Sequence, residues 1–396
     1  MSKIQSTFNK GEGVLQFKPC WVPRLFNKPG KRLKLHPDDY YALGMERGAI
    51  VERWFSSVAS VTTPNAPEDE GMSYVNTDGT NEGKVLFKEF IDELGAALIG
   101  EELKSKYGTF PMYAKFFDYN LPLFHHLHQG EEDAALVNMN PKPESYYFPA
   151  QYNNHPGEFP VTYFGFDPSV SKEEVKDCLK NYMNHDTRIT ELSRAFRLQL
   201  DTGWFIPPMI LHAPGSLLTY EPQWNSDIMC IWENVVAGEV MGKGLLTGCV
   251  PEDKHDDIDF IFGLMNWEEN IRADFREHYF RPPIVCSEDS AHVEKWISYG
   301  NDYIGAKELT IMPGKEYISK DKAAYGCILI QGYGQFGAFS CETGNMLRYD
   351  QFSADEYFVS EDAAKQGVKI VNTAQHEPLV ILKHFGPNCG MPEKIK

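Results

Sequence analysis

Residues 110–128 read FPMYAKFFDYNLPLFHHLH, and the fold follows from how that stretch is read. From Tyr113 onward the chain runs in short apolar and aromatic segments broken by Pro, Gly and Asn, a strand signature, and residues 114–128 are one such run. It ends in His126-Leu127-His128. Side chains alternate faces along a strand, so His126 and His128 project together while His125 points away as a packing residue. Two neutral imidazoles one strand repeat apart can share a cation, and imidazole suits zinc, iron, nickel or manganese.

Outward from this pair lie two further donor candidates. Glu144 closes the rigid Pro141-Lys142-Pro143-Glu144 and begins a new strand, and His212 ends Ile206-Pro207-Pro208-Met209-Ile210-Leu211-His212. Either histidine element alone is commonly structural: His-x-His as two surface residues, His212 as a core residue. Strand character returns over 203–236 and again over 307–312, 326–331, 337–341, 356–359, 367–372 and 379–384. The spacing of the last set, with its turn signals, predicts a second barrel or sandwich. Helical spacing appears at 83–94, 100–107, 171–200 and 267–278. At the start of the third, Ser171 stands three residues before Glu174 as a capping box. The expected fold is mainly β, a cupin (jelly-roll) double barrel with helical insertions. Its expected division is 1–110, a mixed N-terminal segment packing on the first barrel; 111–240, a metal-binding cupin interrupted near 171–200; 241–285, a connector; and 286–396, a second, metal-free barrel, since His376 and His384 are the only histidines beyond Gly300.

Composition narrows the function. With 38 Lys and Arg against 56 Asp and Glu, the net charge of −18 argues against a nucleic-acid surface. No apolar run approaches the roughly 18 residues of a membrane span, and residues 1–6 lack a signal-peptide core. Eight scattered cysteines without a Cys-x-x-Cys pair read as reduced thiols, so a cytoplasmic protein that binds neither nucleic acid nor membrane is expected. The run at 332–337 fits a Gly-x-Gly pattern without a following helix and reads as a tight barrel turn.

Three stretches together resemble the type I phosphomannose isomerases, bicupins with one metal in the first barrel. In the first, Lys115 precedes His126 by eleven residues, the family's spacing from a Lys to its metal-binding Gln-x-His. The second is Asn140-Pro141-Lys142-Pro143-Glu144, similar to the family's Lys-Pro-Glu ligand segment, followed by Phe164-Gly165-Phe166-Asp167-Pro168 before a helical insertion. The third joins residues 207–212 to Glu221-Pro222-Gln223-Trp224-Asn225-Ser226-Asp227, similar to Pro-x-Gly-x-x-His and Glu-Ile-Gln-Gln-x-Ser-Asp. The chain departs from the family at three places. His126 replaces the metal-binding Gln, Phe124 a Ser and Ile231 the catalytic Arg.

The resemblance implies a single divalent metal held by His126, His128, Glu144 and His212, zinc first and manganese, iron or nickel as alternatives. It implies Lys115 and Glu221 as catalytic residues at the barrel mouth, with Asp227 orienting a ligand or capping backbone amides. The activity implied is metal-dependent aldose–ketose isomerisation of a sugar or sugar phosphate, as in mannose-6-phosphate isomerase and carbohydrate metabolism. The losses at Phe124 and Ile231 imply a weakened phosphate grip unless Arg272, Arg276 and Arg281 supply the charge. Two other classes stay open, a metal-dependent cupin oxygenase and a non-catalytic carbohydrate-binding bicupin. Tyr146, Tyr147, Phe148, Trp204, Trp224 and Trp232 are either pocket walls or barrel packing.

Overall fold

The computed structural model describes residues 1–25, 28–63, 65–155, 157–236 and 238–393. The fold is mainly β, and its sheets pack as successive layers. The outermost is a five-stranded sheet in the order Ser193–Arg197, Val161–Phe166, His212–Ala213, His126–Leu127, Cys230–Ile231. Against it lies a seven-stranded sheet ordered Phe280–Arg281, Gly203–Ile206, Glu144–Tyr147, Thr219–Trp224, Met112–Phe117, Ala49–Phe55, Cys20–Arg24. Behind this is a nine-stranded sheet whose central strand is Tyr325–Gln331, flanked by Leu379–Phe385 and Glu356–Val359. A four-stranded sheet of Glu316–Ser319, Val368–Asn372, Tyr333–Phe336 and Phe339–Glu342 covers its far side. Every ladder between these strands is antiparallel.

Period-two alternation explains why the seven-stranded sheet can serve two cores at once. Along Met112–Phe117, Ala114 and Phe116 pack toward the nine-stranded sheet with Ile297, Ile328 and Leu382. Phe117 packs instead toward the five-stranded sheet with Tyr146 and Phe164. The same switch puts Tyr220 in the inter-sheet core and Glu221 on the opposite face. Polar bonds tie the two large sheets together where apolar packing alone would allow slippage. Tyr147 Oη donates to Glu308 at 2.6 Å, Tyr220 Oη meets His384 Nδ1 at 2.9 Å, and Arg53 grips Asp355 at 2.7 Å.

The first residues of the chain contribute to both large sheets. Cys20–Arg24 and Ala49–Phe55 extend the seven-stranded sheet, while Val14–Lys18 pairs with Glu356–Val359 in the nine-stranded one. The residues at 83–94 divide into a strand, Lys84–Leu86, and a helix, Phe87–Leu94. The capping box forms: Ser171 opens Lys172–Lys180, with Ser171 N donating to Glu174 at 2.8 Å. The helical reading of 171–200 is too long, because Ser193–Arg197 is a strand. The Gly-rich run at 332–337 is a strand, Tyr333–Phe336, and the turn falls at Gly337, whose φ of 57° suits a residue without Cβ. At Gly165 a Cβ would stand 2.2 Å from the Asn270 carbonyl, so only glycine lets the segment 267–270 close over this strand.

Candidate metal centre

The site lies between the five- and seven-stranded sheets. His126 and His212 are cross-strand neighbours in the five-stranded sheet, and His128 follows the same strand. Glu144, Lys115 and Glu221 stand on the facing sheet, where Lys115 and Glu221 are direct cross-strand partners. All six are buried.

Hydrogen bonding fixes how the imidazoles present themselves. Nδ1 of His126, His128 and His212 lies 2.9, 2.6 and 2.8 Å from the carbonyl oxygens of Phe124, Ile228 and Ile210 respectively. A carbonyl only accepts, so each Nδ1 carries a proton, and in the neutral ring it is Nε2 that keeps the lone pair. Burial also holds His126 well below its usual pKa, and burial with the Lys142 charge brings His128 down to about 4, so both are neutral near pH 7. Neutral imidazole is the metal-binding form. Glu144 Oε2 stands 3.1 Å from His128 Nε2 and Oε1 3.1 Å from His212 Nε2. Lone pairs therefore face a carboxylate, and neither Glu144 oxygen nor His212 Nε2 has an aligned hydrogen-bond donor. Lys142 supplies part of the missing positive charge: its Nζ donates to His128 Nε2 at 3.2 Å and lies 3.0 Å from Glu144. A buried cluster of acceptors this close has the chemistry of a cation-binding donor set. Among the described residues, His126, His128 and His212 form a group that can hold a metal ion.

Around this centre runs a closed network of charges. Lys115 Nζ is 3.1 Å from Glu221 and 3.9 Å from Glu52. Lys142 also reaches Glu221 at 3.5 Å. Arg24 bonds Glu52 at 3.1 Å and Asp227 at 3.0 Å, and Glu52 accepts further from Trp54 Nε1 and Tyr119 Oη. These partners outweigh burial and keep the Glu52 carboxyl well below its usual range. Glu221 goes the other way: burial and the neighbouring Glu144 charge push it up to about 7.

No family model matches the chain, and no curated protein matches it in sequence. Its structure does find matches. A variant of phosphomannose isomerase from Salmonella typhimurium aligns with TM-score 0.60 at 12% identity, covering 94% of this chain and 99% of that one. Mannose 6-phosphate isomerase from Bacillus subtilis aligns with TM-score 0.59 at 12% identity, with the same two coverages. A mannose 6-phosphate isomerase bound with zinc and yttrium aligns with TM-score 0.58 at 11% identity over 94% of this chain and 99% of that one. The fold is that of the phosphomannose isomerases. It is a cupin fold, as the sequence resemblance implies.

Within this phosphomannose-isomerase fold, the residues singled out in the sequence fall as follows. His126, His128, Glu144 and His212 converge, and Lys115 and Glu221 stand beside them. Asp227 caps the Thr62 backbone amide at 2.9 Å and holds Arg24, so it orients no histidine. His125 is buried against Glu233 and Thr190, away from the donor set. Tyr146 lines the cavity, whereas Trp204 and Trp232 belong to the cores. The connector arginines stay outside the cavity: Arg272 pairs with Glu269 and Asp274, Arg276 lies over the Phe280 ring, and Arg281 donates to the Tyr299 carbonyl. Sequence reasoning missed Arg24, Glu52 and the role of Lys142. Lys142 alone carried a local signal, its place between two prolines two residues before Glu144.

Proposed function

We propose that this protein is a metal-dependent aldose–ketose isomerase acting on a sugar, with His126, His128, Glu144 and His212 as ligands and Lys115 and Glu221 as the catalytic pair. The observation that carries the reading is the convergence of three imidazole Nε2 atoms on a carboxylate whose oxygens have no aligned donor, directly beside the Lys115–Glu221 pair. Zinc is the first candidate, because imidazole nitrogens with one carboxylate suit it. A divalent cation held there would act as a Lewis acid on the substrate carbonyl.

Isomerisation moves a proton between adjacent carbons through an enediol, so one group must take the proton and return it. Glu221 suits this role: its carboxyl changes charge near neutrality, and its cross-strand bond to Lys115 fixes its position. Lys115 donates to the oxygen on which charge develops. Arg24 is bound to two carboxylates and serves as a rigid wall. Lys115 and Lys142 are likewise ion-paired, so the cations of this cavity offer no free grip for a phosphate. A charge-assisted hydrogen bond contributes about 1.5–3 kcal/mol, and the paired cations of this cavity offer mannose 6-phosphate no such gain over mannose.

Metal analysis of purified protein, followed by an isomerase screen of neutral and phosphorylated sugars, tests the reading. Close to one zinc or manganese per chain with turnover of an aldose is expected. A metal-loaded protein that turns over no sugar would refute it. The same donor set also suits ferrous iron, and that observation favours a second reading, a cupin oxygenase. Substrate-dependent oxygen uptake by the iron-loaded protein would decide for it.

A further inference from the structure

The cavity lined by His126, His128, Lys115 and Glu221 is small, about 20 Å3, room for roughly one water-sized group. Arg24 and Met229 in its wall also line a groove of about 800 Å3. A substrate carbonyl can enter the small cavity, but the remainder of any sugar must lie in the groove.

That groove has an unusual lining for a carbohydrate. Four methionines face it, Met45, Met139, Met229 and Met241, together with Leu25 and Leu245. Of the twelve large hydrophobic residues exposed among the described residues, four (Leu25, Tyr41, Met45 and Val240) belong to this one groove. Its apolar character continues below the surface, where Phe124, Ile231, Val236 and Met241 form a cluster joined by Met229 and Leu245. Methionine is flexible and polarizable, and methionine-rich surfaces adapt to varied apolar shapes. Singly exposed hydrophobics need no explanation, but several converging on one concavity mark a binding surface.

We propose that the groove holds an apolar group carried on the end of the sugar remote from its carbonyl, so that the substrate is a hydrophobically substituted aldose or ketose. This rests on the isomerase reading for the sugar end alone. The apolar end rests on the groove. The orientation follows from the two volumes: the carbonyl end reaches the donor set, and the remote end points outward along methionine and leucine side chains. An acyl ester or an aryl ether at that end would bury its carbons against them.

The test compares mannose, mannose 6-phosphate and 6-O-octanoyl-mannose on the zinc-loaded protein, with binding measured by calorimetry and turnover measured separately. The octanoyl sugar is expected to bind at least about tenfold more tightly than mannose, equivalent to about 1.4 kcal/mol. Met45→Asp, on the exposed wall, is expected to erase most of that preference. Met346→Asp, at an exposed apolar position outside the groove, is expected to leave it intact. Equal binding of mannose and its octanoyl ester, tighter binding of mannose 6-phosphate than of either, or a preference untouched by Met45→Asp would each overturn the proposal. Turnover of mannose with no gain from the octanoyl group sinks the groove proposal and leaves the isomerase reading standing. Tight, Met45-dependent binding of the octanoyl sugar without turnover does the reverse.

Discussion

His212 spends Nδ1 on the Ile210 carbonyl and turns Nε2 toward Glu144, where no aligned donor meets it. Its loss tests the site cleanly, because it touches neither Lys115 nor Lys142 through any ion pair. Removing hydrogen bonds to a ligand already costs about 10–100-fold in metal affinity, and removing the ligand itself costs more. His212→Ala is therefore expected to lower zinc affinity at least about a hundredfold while circular dichroism shows the β fold retained. Full metal occupancy in the variant would rule the assignment out. Period-two alternation showed that His126 and His128 share a face, and only the flanking segments made a metal pair of them. Arg24 and Glu52 were not, because their meeting with Lys115 and Asp227 depends on the register of strands far apart in the chain, which a single sequence does not carry.

At the scale of elements, most strands after residue 300 were legible because each is a short apolar run closed by turn residues, whereas Glu316–Ser319 was passed over and Tyr333–Phe336 was read as a turn. Glu356–Val359 falls where the sequence predicts it, and Leu379–Phe385 differs by one residue. The errors came where two periodicities meet in one stretch, as at Lys84–Leu86 and Ser193–Arg197, which sit beside helical segments and share their apolar residues. Glu356 opens a central strand of the nine-stranded sheet and gives that element a pH dependence. Burial pushes its carboxyl up to about 8, despite Arg53 at 3.3 Å pulling the other way, against an ordinary value of 4.5. Between these values the folded chain binds more protons than the unfolded one, so stability falls as pH rises. The contribution is fully present below about pH 4.5 and is lost as pH climbs through 8. Its limiting slope is about 1.4 kcal/mol per pH unit. Denaturation midpoints measured from pH 5 to 8 should decline in the parent and flatten in Glu356→Gln; parallel profiles would contradict the assignment.

Across the whole molecule, layering decides what each half needs from the other. The sequence indicated two β regions separated by a helical connector, yet it gave no sign that the opening strand would join the last-made sheet. Val14–Lys18 lies between Glu356–Val359 and Tyr74–Asn76, and Gln16 bonds Tyr357, 341 residues away. During synthesis at about 5–20 residues per second, this early strand emerges and then waits roughly 17 to 70 s for its partner to be made. Until then Leu15 and Phe17, both fully buried at the end, have no neighbour on that edge. Ribosome-bound chains halted before residue 356 are expected to show the amides of residues 14–18 open to hydrogen exchange on the Glu356–Val359 side, and chains released at full length to show them protected. Protection in the halted chains would mean that another segment holds the place. The fold is thus closed by its first strand and one of its last, and a ribosome that stalls late leaves behind a nearly finished protein with one adhesive apolar edge.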